Sequence, residues 1–258
     1  MTYAICHLSM IPMRASASDR AEMVSQILFG EFVRVDEEKG SWLHVSCLLD
    51  DYSGWIDKKQ CLEVAEDLPE CADPWMGPVC QDHFAQLIAV KGEQKIDLCL
   101  GASLPGLSGK KFKLGEEKYT LDGNAGKAKK VTRQSICETA RMYLGSPYLW
   151  GGRSPFGIDC SGLVQMVFRI NGIKLFRDAD RQSSMGVEVG FAEQAQPGDV
   201  AFFENKEGKI IHTGLVLEDQ QIIHASGCVR IDKIDHEGIF NESTKKYTHK
   251  LRLIKTLL

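Results

Sequence analysis

The nine cysteines and seven histidines of this 258-residue chain are the groups that could carry nucleophilic chemistry without a cofactor. Cys160 stands apart from the other cysteines. It follows a loop holding Gly151, Gly152 and Gly157, and it opens the apolar series Leu163, Val164, Val167, Phe168 and Ile170, whose spacing predicts a buried helix from Cys160 to Ile170. A glycine-rich loop lets backbone or substrate come close. A helix N-terminus carries partial positive charge, so a thiol there is expected to ionise more readily. The backbone N–H of Cys160, unpaired in the first turn, is a candidate oxyanion donor. The other eight cysteines read as small buried residues.

A thiol nucleophile needs a base, and the base needs a group that orients it. His212 lies in Ile211-His212-Thr213-Gly214-Leu215-Val216, and His224 in Ile222-Ile223-His224-Ala225-Ser226, two apolar strands joined by a turn. Side chains alternate faces along a strand, so the length of the turn decides whether the two rings can meet. A two-residue loop at Asp219-Gln220 would pair His224 with Leu215 and set the histidines on opposite faces. A three-residue loop, for example 218–220, pairs 217 with 221 and sets them on one face. Acid–base chemistry by this pair requires an odd-numbered loop.

The elements that must position these groups change character along the chain. Residues 1–65 read as all-β: short apolar runs such as Phe32–Val35 and Trp42–Val45 sit between turn formers. Around 63–75 the acidic, proline-bearing stretch EVAEDLPECADPW reads as a linker. Residues 75–128 give a second small β unit. Its segment 106–111 does not meet the phosphate-loop pattern. From Thr132 the spacing of Ile136, Ala140, Tyr143 and Leu144 predicts a capped helix that stops by Gly145 and Pro147. Strands are expected at Asp199–Phe203, Ile210–Leu217, Gln221–Ala225 and Lys250–Lys255, giving an α+β C-terminal region over 131–258.

Composition narrows the function. A net charge of −4 gives no pull toward nucleic acid, and the run Lys127, Lys129 and Lys130 reads as a solvated linker. No run of apolar residues is long enough to span a membrane, and the N-terminus lacks the pattern of a secretory signal. The odd cysteine count and the absence of any Cys-x-x-Cys pair fit a reducing compartment. The expected location is the cytoplasm, or outside it if a signal peptide has been removed.

Five segments occur together: Ser146-Pro-Tyr-Leu-Trp-Gly-Gly152, Gly157-Ile-Asp-Cys-Ser-Gly-Leu-Val164, Pro197-Gly-Asp-Val-Ala-Phe-Phe203, Ile211-His-Thr-Gly-Leu-Val216 and Ile223-His-Ala-Ser226. In them the sequence resembles the NlpC-type bacterial cell-wall cysteine peptidases, in that family's order. The strings Pro12-Met-Arg14, Ser18–Gln26, Phe29-Gly-Glu31 and Gly54-Trp-Ile56 resemble bacterial SH3-like domains. The whole layout is similar to γ-D-glutamyl-L-diamino acid endopeptidases. The resemblance implies a papain-like α+β catalytic domain preceded by two small SH3-like β-barrels. It implies Cys160 as nucleophile, His212 as general base and His224 as its orienting partner, with no metal or organic cofactor. Tyr148, Asp159 and Ser161 are the expected substrate contacts beside the nucleophile. The ammonium of a free N-terminal L-alanine would be held by Asp159, with Glu22 and Tyr52 from the first domain. The expected substrate is a murein tripeptide or tetrapeptide, and the expected state is a monomer. The rival readings are amidase or acyl-transfer chemistry on the same fold, and a catalytically silent peptidoglycan-binding module.

Overall fold

Closely spaced turns and short apolar runs give the first half of the chain strands at nearly every opportunity. The computed structural model describes residues 2–64, 73–75, 77–128 and 130–258. It divides into one unit of Met1–Ala128 with Arg153–Pro155, and a second of Lys129–Gly152 with Phe156–Leu258. The linker expected over 63–75 and Lys129 of the basic run lie largely or wholly outside the described residues.

The first unit holds β1 (Thr2–Cys6), β2 (Met10–Arg14), β3 (Met23–Leu28), β4 (Phe32–Lys39), β5 (Trp42–Cys47), β6 (Ser53–Asp57) and β7 (Cys61–Val64), in one antiparallel sheet of order β3-β2-β6-β5-β4-β1-β7. Its core gathers Ile11, Met13, Ile27, Val33, Leu43, Val45 and Ile56. There follow β8 (Val79–Cys80), β9 (Phe84–Ala89), β10 (Lys95–Cys99), β11 (Lys111–Leu114), β12 (Glu117–Asp122) and β13 (Ala125–Gly126). They form a four-stranded sheet, β10-β9-β12-β11, and a β13-β8 ribbon. In β9 burial alternates, with Ala85, Leu87 and Ala89 inward, as a half-solvated strand requires. Phe29, from the turn after β3, packs into this second core against Phe112, with ring centroids 5.6 Å apart.

The first unit also contains a buried ion pair. Arg153 donates through its two terminal nitrogens to Glu31 at 2.8 and 2.9 Å. Its backbone N–H and side chain reach Gln26 Oε1 and the Gln26 carbonyl, both at 2.7 Å. Glu31 also accepts from the Leu28 N–H at 3.0 Å.

In the second unit α1 (Arg133–Arg141) starts at the expected cap. Thr132 Oγ1 accepts from the Ser135 N–H, and Ser135 Oγ from the Thr132 N–H, both at 3.0 Å, a reciprocal capping box. After β14 (Arg153–Ser154) and β15 (Gly157–Ile158) comes α2 (Cys160–Ile170), with the bounds the apolar spacing predicts. It is buried from Cys160 through Arg169. Gly172 follows with φ +79°, the left-handed stop expected there.

Then come α3 (Ala179–Ser183), β16 (Val187–Val189), β17 (Val200–Glu204), β18 (Ile210–Leu217), β19 (Gln221–Ser226), β20 (Cys228–Ile234), β21 (Gly238–Asn241) and β22 (Lys246–Thr256). The sheet order is β16-β22-β17-β18-β19-β20-β21, and β22 also pairs with β21, which closes six strands into a ring. One face carries Ala201, Phe203, Val216, Ile222, Ile234, Ile239 and Ile254 as a packed cluster. By alternation Phe202, Leu215 and Ile223, all fully buried, point the other way. Helices α1 and α2 pack on β18, and α2 also on β19. The chain is mostly strand, and its α-helices among the described residues all lie in this unit. No helix of the described residues is long and apolar enough to cross a membrane.

Removing one member of a buried ion pair strands the other charge, at a cost of about 3–5 kcal/mol. Glu31→Ala should therefore lower stability by about that amount in chemical denaturation. A loss below about 1 kcal/mol, the range of a surface pair, would mean that Arg153 is solvated.

Candidate active site

The start of α2 is fixed by Asp159. Its Oδ1 accepts from the Gly162 N–H at 2.7 Å, capping the helix, and its Oδ2 accepts from the Gly151 N–H at 2.8 Å. Arg177, itself buried, grips the same carboxylate from both terminal nitrogens, at 3.0 and 2.6 Å. Ser161 Oγ donates to Asp159 Oδ1 at 3.2 Å and accepts from Arg177 at 2.9 Å. Gly162 must be glycine: a Cβ there would stand 2.3 Å from the Gly152 carbonyl oxygen.

Asp159 is therefore a cap and an ion-pair partner, held by four donor groups at five contacts. The easy ionisation expected of Cys160 is corrected. Burial, and then the negative charge of Asp159, push its thiol up to about 11, although backbone hydrogen bonds from Thr213 and Ser161 and the charge of Arg177 act the other way. The helix terminus is outweighed by desolvation.

The histidines meet because the turn is odd-numbered. Leu217 pairs with Gln221, leaving 218–220 as a three-residue loop, and Gly214 pairs with His224. Asp219 and Gln220 take φ of +56° and +54° within it. His212, Gly214 and Val216 then share a face with Ile222 and His224. Gly214 is the gap through which the second ring reaches the first, since a Cβ there would stand 2.8 Å from His224 Cβ. His212 Nε2 and His224 Nδ1 are 2.8 Å apart, with ring planes at 87°.

The line continues. His224 Nε2 lies 3.0 Å from Asp232 Oδ2, and Arg230 donates to Asp232 Oδ1 at 2.8 Å. Burial pushes the Asp232 carboxyl up, but the bonds from His224 and Arg230 outweigh it and hold the carboxyl below its ordinary value. An ionised carboxylate only accepts. His224 Nε2 is therefore the donor to Asp232; in the singly protonated ring this leaves Nδ1 to accept from His212 Nε2, and His212 keeps an unprotonated Nδ1. Burial first, then the neighbouring His249 and His224, hold His212 well below the ordinary imidazole range, so it is neutral at neutral pH. Burial thus disfavours the charged form of both the thiol and the imidazole.

Cys160 meets this line through the backbone of Thr213, the residue after His212. Tyr148 belongs to the same cluster: its hydroxyl is pushed up to about 12 by burial and by the proximity of Cys160 and Asp159. Tyr148, Asp159, Cys160, Ser161, His212 and His224 thus all lie in one unit. Glu22 and Tyr52 belong to the other unit, where Tyr52 packs against the first core.

Arg177 and Asp232 were missed by sequence reasoning. Asp232 had a signal, because the alternation Val229-Arg230-Ile231-Asp232-Lys233-Ile234 continues the strand pattern one hairpin further and places Asp232 opposite Ile222. His212, His224 and His249 bring ring nitrogens within 4.8 Å of one another. A metal–nitrogen bond takes about 2.0–2.1 Å. The lone pair of His224 Nδ1 is spent on His212 Nε2 only 2.8 Å away, so an ion would enter only by parting the rings.

Comparison with known proteins places the chain among relatives. Residues 145–252 match the NlpC/P60 family, and residues 13–60 match the bacterial dipeptidyl-peptidase Sh3 domain. A gamma-D-glutamyl-L-lysine dipeptidyl-peptidase of Bacillus subtilis (strain 168) is 33% identical over 217 residues, covering 78% of this chain and 71% of that protein. A protein of the same name from Bacillus cereus is 27% identical over 245 residues, 86% of this chain and 73% of that one. The crystal structure of a NlpC/P60 family protein from Bacillus cereus ATCC 10987 superposes with a TM-score of 0.82 at 22% identity, over 98% of this chain and 99% of the other, a likeness of fold. The catalytic fold is papain-like, with an SH3-like domain before it, and the molecule is a peptidase. The chain belongs to the NlpC/P60 family, and its function is tied to peptidoglycan.

Gly214→Ala forces His224 away from His212. Misplacing a catalytic group by about 1 Å costs on the order of 100-fold in rate. Turnover should fall by about that factor with the fold intact by circular dichroism. Full turnover in this variant would show that the contact between the two histidines is dispensable.

Proposed function

We propose that the chain is a cysteine endopeptidase that cuts between the γ-carboxyl of D-glutamate and the following diamino acid in short murein peptides with a free N-terminal L-alanine. The observation that carries this reading is the hydrogen-bonded line from Asp232 through His224 to His212. It leaves His212 Nδ1 as a proton acceptor next to the strand position whose backbone meets the Cys160 thiol. The named activity of the two Bacillus relatives supports the choice of bond.

In the first step the Cys160 thiol gives its proton to His212 Nδ1 as sulfur bonds the γ-glutamyl carbonyl carbon. The carbonyl oxygen becomes an oxyanion, received by the Cys160 N–H and the Tyr148 hydroxyl. The C–N bond then breaks, and the amine of the diamino acid leaves with the proton from His212. Water, deprotonated by His212, attacks the thioester. The acid departs and the thiol recovers its proton. His224 and Asp232 keep the base in the tautomer both steps need. Ser161 and Asp159 act with Arg177 to fix the helix start, and the ammonium is assigned to Asp159 with Glu22 and Tyr52. The domain organisation in this reading is two SH3-like barrels, 1–65 and 75–128, before an α+β catalytic domain, 131–258. Its setting is peptide recycling in the cytoplasm.

Mass spectrometry of L-Ala-γ-D-Glu-L-Lys, its diaminopimelate counterpart and their N-acetylated forms tests the proposal. Cleavage of the free-amine peptides alone, abolished by Cys160→Ala, is the expected result. Equal cleavage of acetylated peptides would remove Asp159, Glu22 and Tyr52 as amine ligands. Transfer of the acyl group to an added amine in preference to water would identify an acyltransferase. No cleavage with tight binding of polymeric peptidoglycan would identify a binding module.

A further inference from the structure

A third histidine lies against the base and has no part in the chemistry above. The His249 ring lies flat on the His212 ring, 4.0 Å between centroids and 20° between planes. Ring closure brings it there: β22 pairs His249 with Ile239 of β21 and Leu251 with Phe203 of β17, and Phe203 pairs in turn with His212. Phe203 stands 5.8 Å from His212 and 6.0 Å from His249. The half-buried His249 has its Nδ1 2.9 Å from Thr248 Oγ1 and lines an opening of about 730 Å³ shared with Ile211, His236 and Glu237.

We propose that His249 is a positioning residue for His212, which fixes the plane of the base; this rests on the reading of His212 as the general base. The hydrogen bond at Nε2 sets the direction of the His212 ring but leaves it free to roll about that bond. A flat ring at stacking distance removes the roll and aims Nδ1. The partner must be uncharged, because His212 becomes an imidazolium when it takes the thiol proton, and a second cation 4 Å away would oppose that. His249 meets this condition: burial, and then the proximity of His224, lower it to about 4, while the Asp232 charge acts the other way. The charged or titratable groups around it are His212 on β18, His224 on β19, Arg230 and Asp232 on β20, and Glu204 on β17. Tyr247, Lys250 and Arg252 stand on its own strand, and His236 and Glu237 line the same opening.

The test is kcat and KM on L-Ala-γ-D-Glu-L-Lys for the wild type, His249→Ala and His249→Phe, with thermal melts alongside and Cys160→Ala and His212→Ala as controls. His249→Ala should lower kcat by about 10- to 100-fold and leave KM unchanged, the cost of a misaimed base. His249→Phe keeps a flat partner and should retain most of kcat. If His249→Ala does not fold, His249→Phe carries the test. Wild-type kcat in a folded His249→Ala, or a kcat of folded His249→Phe as low as that expected of His249→Ala, overturns the inference. Inactive controls beside wild-type His249 variants would sink the positioning role alone. Wild-type turnover in either control would sink the base assignment and this inference with it.

Discussion

Asp232 can accept hydrogen bonds and cannot donate them, and this constraint runs the length of the site. It dictates which nitrogen of His224 holds a proton, and so which nitrogen of His212 does. Were a neutral donor in its place, the line could reverse, and His212 would present an N–H where it needs a lone pair. The fold serves this constraint in particulars. A three-residue turn puts both rings on one face, Gly214 opens the space between them, and the one-residue turn at Gly227 brings β20 back with Asp232 and its partner Arg230.

The other half of the site is governed by desolvation. Asp159 caps the nucleophile's helix and is bound by the buried Arg177, so its charge is spent on holding the loop and helix start together. What remains of that charge raises the adjacent thiol, in the same direction as burial. A buried thiol and a buried imidazole both favour their neutral forms, since each pays for ionisation in a medium that solvates charge poorly. Proton transfer is thereby tied to the attack on substrate, where the developing oxyanion and leaving amine share the charge.

Much of this was legible in the sequence because the signals were local. The bounds of α2 follow from its apolar spacing, the Thr132 cap from its residue type, and the need for an odd turn from strand alternation. The rest depended on distant pairing. Arg177 follows α2 in an irregular segment with no periodic pattern to place it, yet it completes the cap at Asp159. His249 sits 37 positions beyond His212 and comes back only because β22 pairs with both β17 and β21. The easy ionisation read for Cys160 came from its position at a helix start, and it failed because burial and the Asp159 charge outweighed that position.

The account stands on the proton positions at His212. Nitrogen-15 NMR of the imidazoles at neutral pH, assigned by comparison with His212→Ala, reads them directly. A protonated Nε2 and a bare Nδ1 on His212, in the resting enzyme with Cys160 as a thiol, is the predicted state. Protons on both nitrogens would mean a thiolate–imidazolium pair, and a proton on Nδ1 alone would mean that the line from Asp232 runs the other way; either would contradict the account.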